Sequence, residues 1–174
     1  MLVLIVLSPS SVIAQIDDSI TPFGVDVGGT RYANGSHHSY RSTETNISER
    51  IQWEHRFDGP GGQDIYNQTD ITLARARYEI VIPDFYWLVD SLPGAAAGTY
   101  ICSLSASDKV CLNARIVIAD DAHELSDLHQ NNIVCHEIGH SIGFGHGTSA
   151  TSCMSGGDNN QLNAIEIGLI NNYY

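Results

Sequence analysis

The chain has 174 residues, with 20 Asp and Glu against 8 Lys and Arg, so its formal charge is −12; Lys109 is its only lysine. That sign argues against polybasic binding to nucleic acid or to an acidic membrane surface. Apolar residues at 43% with charged ones at 16% argue against disorder, and one domain with its own core is the default at this length.

Residues 2–7 form an unbroken apolar run, followed by Ser8-Pro9-Ser10-Ser11 and then Val12-Ile13-Ala14. The run is too short to span a bilayer. With Val12 and Ala14 at the −3 and −1 positions of a cut, residues 1–14 read as a secretory signal peptide, although no basic residue precedes the run. An ordinary buried strand is the alternative. The signal reading makes residues 15–174 a single secreted, extracellular domain, and no later stretch reaches transmembrane length.

Residues 15–43, with Gly28-Gly29, Asn34-Gly35 and many Ser and Thr, read as loop with one or two strands. From Asn46 the pattern turns helical, with Ile47 and Ile51 one turn apart and Trp53 on the flank, up to a stop at Asp58-Gly59-Pro60-Gly61-Gly62. Residues 78–82 predict a strand closed by Pro83, residues 85–89 are apolar, and Pro93-Gly94 opens a loop. Residues 99–104 and 114–119 predict two more strands. Ser126 can cap a helix over about 127–142. Leu162, Ile165, Leu169 and Tyr173 signal a last helix, with Asn163 and Glu166 spaced as a capping box. Strands that mostly precede two helices make an α+β fold.

The four cysteines, Cys102, Cys111, Cys135 and Cys153, suggest two disulfides in a secreted chain, and three pairings are possible. Cys102 and Cys111 flank a polar loop between two strand-like runs, so a local bridge is the first guess. That leaves Cys135 with Cys153. Four free thiols in a reducing compartment are the alternative. Sequons at Asn34, Asn46 and Asn67 decide nothing in a chain so rich in Asn, Ser and Thr.

The chemistry concentrates in residues 133–147, I-V-C-H-E-I-G-H-S-I-G-F-G-H-G. His136 and His140 are four apart, so on a helix their rings leave one face a turn apart and can reach one metal. Gly143 lets the helix end at positive φ, and the chain can then swing His146 round as a third ligand. Three neutral imidazoles leave the fourth tetrahedral position of Zn²⁺ open to water, as a catalytic site requires. Glu137, about 100° round the helix from His136, can take that water's proton without being a ligand. From the chain's own composition, H-E-x-x-H-x-x-G-x-x-H arises by chance on the order of once in ten thousand such chains.

These residues resemble the metzincins, zinc peptidases with that motif and a downstream methionine turn. In Ser152-Cys153-Met154-Ser155 the methionine stands eight residues beyond His146, and the resemblance makes Met154 the apolar floor beneath the metal. Cys135 and Cys153 each stand one residue before a part of this site, so a bridge between them would tie the zinc helix to the turn. From about Thr69 onward the chain is similar to a small secreted matrixin-like catalytic domain. The resemblance implies a twisted mixed sheet with one antiparallel edge strand above a cleft, a zinc helix below, and the last helix packed behind. Gly147 departs from the matrixins, which place Ser or Thr after the third histidine. Gly156 is not the tyrosine that astacin- and serralysin-like enzymes use as an extra ligand.

Other candidates read blandly. His37, His38, His55, His123 and His129 lack ligand spacing. Asp120, Asp121 and Asp127 can attract Ca²⁺, but no D-x-D-x-D-G loop supports it. Trp53, Trp87 and Phe144 read as core or cleft wall, with Phe144 the best candidate for cleft packing. The sequence therefore predicts a zinc metalloendopeptidase in which a peptide or protein substrate pairs with an edge strand within 99–104 or 114–119. Residues 155–161 are expected to wall the primed-side pocket. No nucleic acid, membrane or second subunit is expected. A catalytically silent zinc- and peptide-binding module, and a hydrolase of non-peptide substrates, are the alternatives.

Overall fold

The computed structural model describes residues 36–76, 82–103, 111, 113–146, 151–155 and 158–174. The signal-like segment and Asn34 lie outside these residues, as does all of the strand expected over 78–82 except Ile82, which is exposed and not in a strand.

Among the described residues five strands make one mixed sheet: β1 (His37–Ser42), β2 (Thr72–Arg75), β3 (Phe85–Asp90), β4 (Gly98–Cys102) and β5 (Ala114–Ala119), in the order β2-β1-β3-β5-β4. All neighbours are parallel except β4, which runs antiparallel to β5 from Gly98 opposite Ile118 to Cys102 opposite Ala114. The interior strand β5 is buried at every position but Arg115, as expected when both faces are covered. Among the described residues β4 is an edge, with no strand on its outer side. Of the two strands expected to receive substrate, only β4 can do so by strand addition. β2 carries too few apolar residues, four residues in all, to be read from sequence.

Helix α1 (Ile47–Phe57) begins where Asn46 accepts hydrogen bonds from the amides of Ser48 and Glu49. Its span matches the periodicity, but the inward face does not. Ile47 and Ile51 are 63% and 62% exposed, and the buried pair is Trp53 with Phe57. The larger aromatic surfaces win: Phe57 stacks on Trp87 at 5.2 Å between ring centroids and lies 5.4 Å from Tyr40, which itself stacks on Phe85. A short helix α2 (Gln63–Tyr66) follows. After β5, a 3₁₀ turn (Asp120–Glu124) leads to helix α3 (Asp127–Ser141), with Ser126 as its cap. A second 3₁₀ turn (Cys153–Ser155) precedes α4 (Ala164–Tyr173), whose Asn163–Glu166 capping box is formed in both directions. Ile170 and Leu162 bring this last helix onto the core.

α3 is buried along most of its length although its first half reads D-L-H-Q-N-N. Buried amides need partners. Arg56 supplies them, donating to Gln130 at 2.7 Å, Asn131 at 3.0 Å and Asp127 at 2.7 Å. Gln130 in turn donates to the carbonyls of His123 and Leu125. At the far end, Ser141 gives its hydroxyl proton to the carbonyl of Ile138, so the 2.8 Å contact from His38 must be the ring Nε2–H donating to Ser141. Midway, Tyr66 donates to the carbonyl of Cys135 at 2.8 Å. Disulfides join Cys102 to Cys111 across the β4–β5 connection and Cys135 on α3 to Cys153 in the second 3₁₀ turn.

Arg56 is 8% exposed, and its removal takes the donor from the buried Asn131 oxygen while Gln52 still donates to Gln130, so Arg56→Ala should cost about 2 kcal/mol in urea unfolding. The Asp127 side chain is 87% exposed, so Asp127→Ala should cost under about 1 kcal/mol. Equal losses would show that the surface ion pair, rather than the buried amides, gives Arg56 its weight.

Candidate metal centre

Three histidines converge at the C-terminal end of α3. His136 and His140 share one face of the helix, and Gly143, at φ 105°, takes the left-handed turn that reverses the chain after Ile142 and brings back His146. The ring centroids lie 4.6, 4.8 and 5.0 Å apart, and the ligating atoms of all three fall within 4.8 Å of one another. This group could hold a metal ion. No other such group of His, Cys, Asp or Glu occurs among the described residues, Asp120, Asp121 and Asp127 included.

The donor chemistry fits a divalent ion. Nδ1 of His136 lies 2.8 Å from the carbonyl of Cys153, and Nδ1 of His140 lies 2.7 Å from that of Phe144. A carbonyl only accepts, so both Nδ1 atoms carry the proton and both Nε2 atoms present lone pairs. Those two Nε2 atoms stand 3.0 Å apart, near the ~3.3 Å that tetrahedral ligands at about 2.0–2.1 Å from one ion would show. Burial lowers the pKa of His136. Burial, then the neighbouring His136 and His146, push His140 down to about 3. Both rings are therefore neutral at neutral pH, as metal ligation demands.

Met154 is 1% exposed, and its sulfur lies against α3 at Gly139, where a Cβ would overlap it. The gap left by a glycine between the two helical histidines admits the thioether directly beneath them. Phe144 is 3% exposed and packs into the core rather than lining the cleft; its contribution here is its carbonyl.

Glu137 is 4% exposed and turns toward β4. A Cβ on Gly98 would lie 2.9 Å from its Oε1, and the Tyr100 amide donates to its carboxylate. Its Oε2 has no protein partner among the described residues. Burial raises its pKa to about 8, against the opposing pull of the Tyr100 amide. A cavity of about 180 Å³ opens beside it, lined by Ala97, Gly98, His129, Asn132, Ile133, His136 and Glu137. Among the described residues, segment 155–161 does not line this cavity but stands behind it. Asp158 pairs with His129 at 3.0 Å, and the carbonyl of Asn159 receives the Asn132 amide.

Sequence reasoning named the three histidines, Glu137 and Met154, and the structure brings them to one place. It missed Gly98, Gly139, the Tyr100 amide and the carbonyls of Cys153 and Phe144. Backbone groups leave no mark in residue type; only the two glycines offered a signal.

No protein-family model matches this sequence, and no curated protein matches it. Among solved structures the chain is similar to that of myroilysin, over 85% of this chain and 97% of that one, with a TM-score of 0.54 and 17% identity. At that identity the likeness is one of fold. It does not single out the matrixins. No helix among the described residues is long and apolar enough to cross a membrane. Among the described residues, the five-stranded mixed sheet with its antiparallel edge strand and the four helices match the metzincin-like α+β fold expected from the sequence.

Proposed function

We propose that the chain is a secreted zinc-dependent endopeptidase of the metzincin type, similar to a small matrixin-like catalytic domain. The observation that carries this reading is the convergence of three imidazoles beside a buried carboxylate and a strand edge. A zinc ion held by His136, His140 and His146 would polarise a peptide carbonyl and acidify a water. The chain's own residues do the rest. β4 offers its outer edge to an extended peptide, which adds as a further strand and lays one peptide bond across the histidines. The adjoining cavity takes a side chain of that peptide. Glu137 accepts the water's proton as the oxygen attacks and returns it to the departing amine, splitting the amide into carboxylate and amine. The two disulfides and the apolar run at residues 2–7 support secretion.

Glu137→Ala should leave one zinc bound per chain and abolish hydrolysis of casein or a peptide library, with the loss seen in kcat. Wild-type rates in that variant would overturn the mechanism.

In the metal-free protein, the raised pKa of Glu137 has a consequence for stability. The folded chain holds a proton that the unfolded chain releases, so its contribution is complete below pH 4.5 and is lost as pH rises toward 8. The depressed pKa values of His136, His140 and His38 act in the opposite sense and only below about pH 6.5. Between pH 6.5 and 8, metal-free wild type should therefore lose stability in urea relative to Glu137→Gln. Parallel curves across that window would contradict the raised pKa.

A further inference from the structure

The carboxylate of Glu166 does more than cap α4. Its Oε2 accepts the Asn163 amide at 2.7 Å, completing the capping box. Its Oε1 points the other way and accepts the Ser152 hydroxyl at 2.6 Å. With its proton committed there, the Ser152 oxygen accepts the Met154 amide at 3.0 Å. Ser152 is fully buried and Glu166 is 6% exposed, so the chain of bonds is shielded from water. At 2.6 Å and out of reach of water, the bond from Ser152 to Glu166 is short and directional.

The turn held in this way carries two contacts to the metal centre. The carbonyl of Cys153 receives the Nδ1 proton of His136, and Met154 fills the space at Gly139 between His136 and His140. If the turn moves, the ring of His136 loses the partner that fixes its tautomer, and the helix loses its floor. The disulfide from Cys135 to Cys153 tethers the turn to α3, but a tether sets distance and leaves the orientation of the Cys153 carbonyl free. The Ser152–Glu166 link fixes that orientation from the other side.

We infer that Glu166, acting through Ser152, is a positioning residue for the metal centre: it orients the Cys153–Met154 turn and so sets the Nε2 lone pair of His136. This inference rests on the zinc reading for its functional weight but concerns groups present without metal. Loss of a group hydrogen-bonded to a ligand alters metal affinity about ten- to a hundredfold, and the Ser152–Glu166 link acts through such a group, the Cys153 carbonyl.

Three variants separate this role from helix capping. Ser152→Ala cuts the link to the turn and leaves the capping box. Asn163→Ala removes the cap's side-chain acceptor and leaves the link from Glu166 to Ser152. Glu166→Gln weakens both, because a carboxamide has one oxygen where two acceptors are needed. Zinc affinity should be measured by competition with a chelator, and the His136 tautomer by ring ¹⁵N shifts in the metal-free proteins. Ser152→Ala and Glu166→Gln should bind zinc at least tenfold more weakly and show mixed His136 tautomers. Asn163→Ala should lower thermal stability yet keep wild-type affinity and a single Nδ1–H form. An unchanged tautomer in Ser152→Ala, or an affinity loss in Asn163→Ala as large as in Ser152→Ala, would overturn the inference. A wild type that binds no zinc but loses its single His136 tautomer in Ser152→Ala would refute the peptidase reading and leave the positioning role standing.

Discussion

Two backbone carbonyls, those of Cys153 and Phe144, hold His136 and His140 with Nδ1 protonated, and much of the molecule serves to keep those carbonyls in place. Imidazoles this deeply buried would be poor ligands if their tautomers were free to exchange. Phe144 is positioned by the left-handed turn at Gly143 and by its amide bond back to the carbonyl of Gly139. Cys153 is positioned by its disulfide, by its amide bond to the carbonyl of Gln161, and by the Ser152–Glu166 link beside it. Local sequence chemistry thus sets the direction of a lone pair.

The same economy explains why α3 can be both polar and buried. A helix that carries ligands must present side chains at a fixed height and rotation. An apolar surface alone allows sliding, whereas directional bonds do not. Arg56 grips the helix near its start, Tyr66 at Cys135 and His38 at Ser141, so three separate elements register it against the sheet. Each partner sits far away in sequence, and each bond is directional.

That distribution also decides what could be read from the sequence. The histidine cluster was legible because metal chemistry demands particular residue types at particular spacings, and the caps of α3 and α4 were legible because capping demands the same. The helix over 47–57 was legible in span but not in face, since periodicity finds a helix without saying which stripe lies inward; aromatic packing against Trp87 decided it. β1, an interior strand of the sheet, was seen only as one or two strands within a polar stretch, and β2 was not seen, because H-H-S-Y-R-S and T-L-A-R carry little apolar alternation. Glu166 was visible as a cap and silent as an anchor, for its second partner comes from a turn fourteen residues earlier. What pairs across distance, or through the backbone, leaves no spacing to read.

The central claim is that three histidines bind zinc and leave one position open to water. X-ray absorption at the zinc edge tests this directly on protein loaded with one equivalent. The account predicts a four-atom shell of three imidazole nitrogens and one oxygen at about 2.0–2.1 Å, with no sulfur. A shell containing a sulfur at about 2.3 Å, a closed shell with a fourth protein ligand, or failure to take up the metal would contradict it.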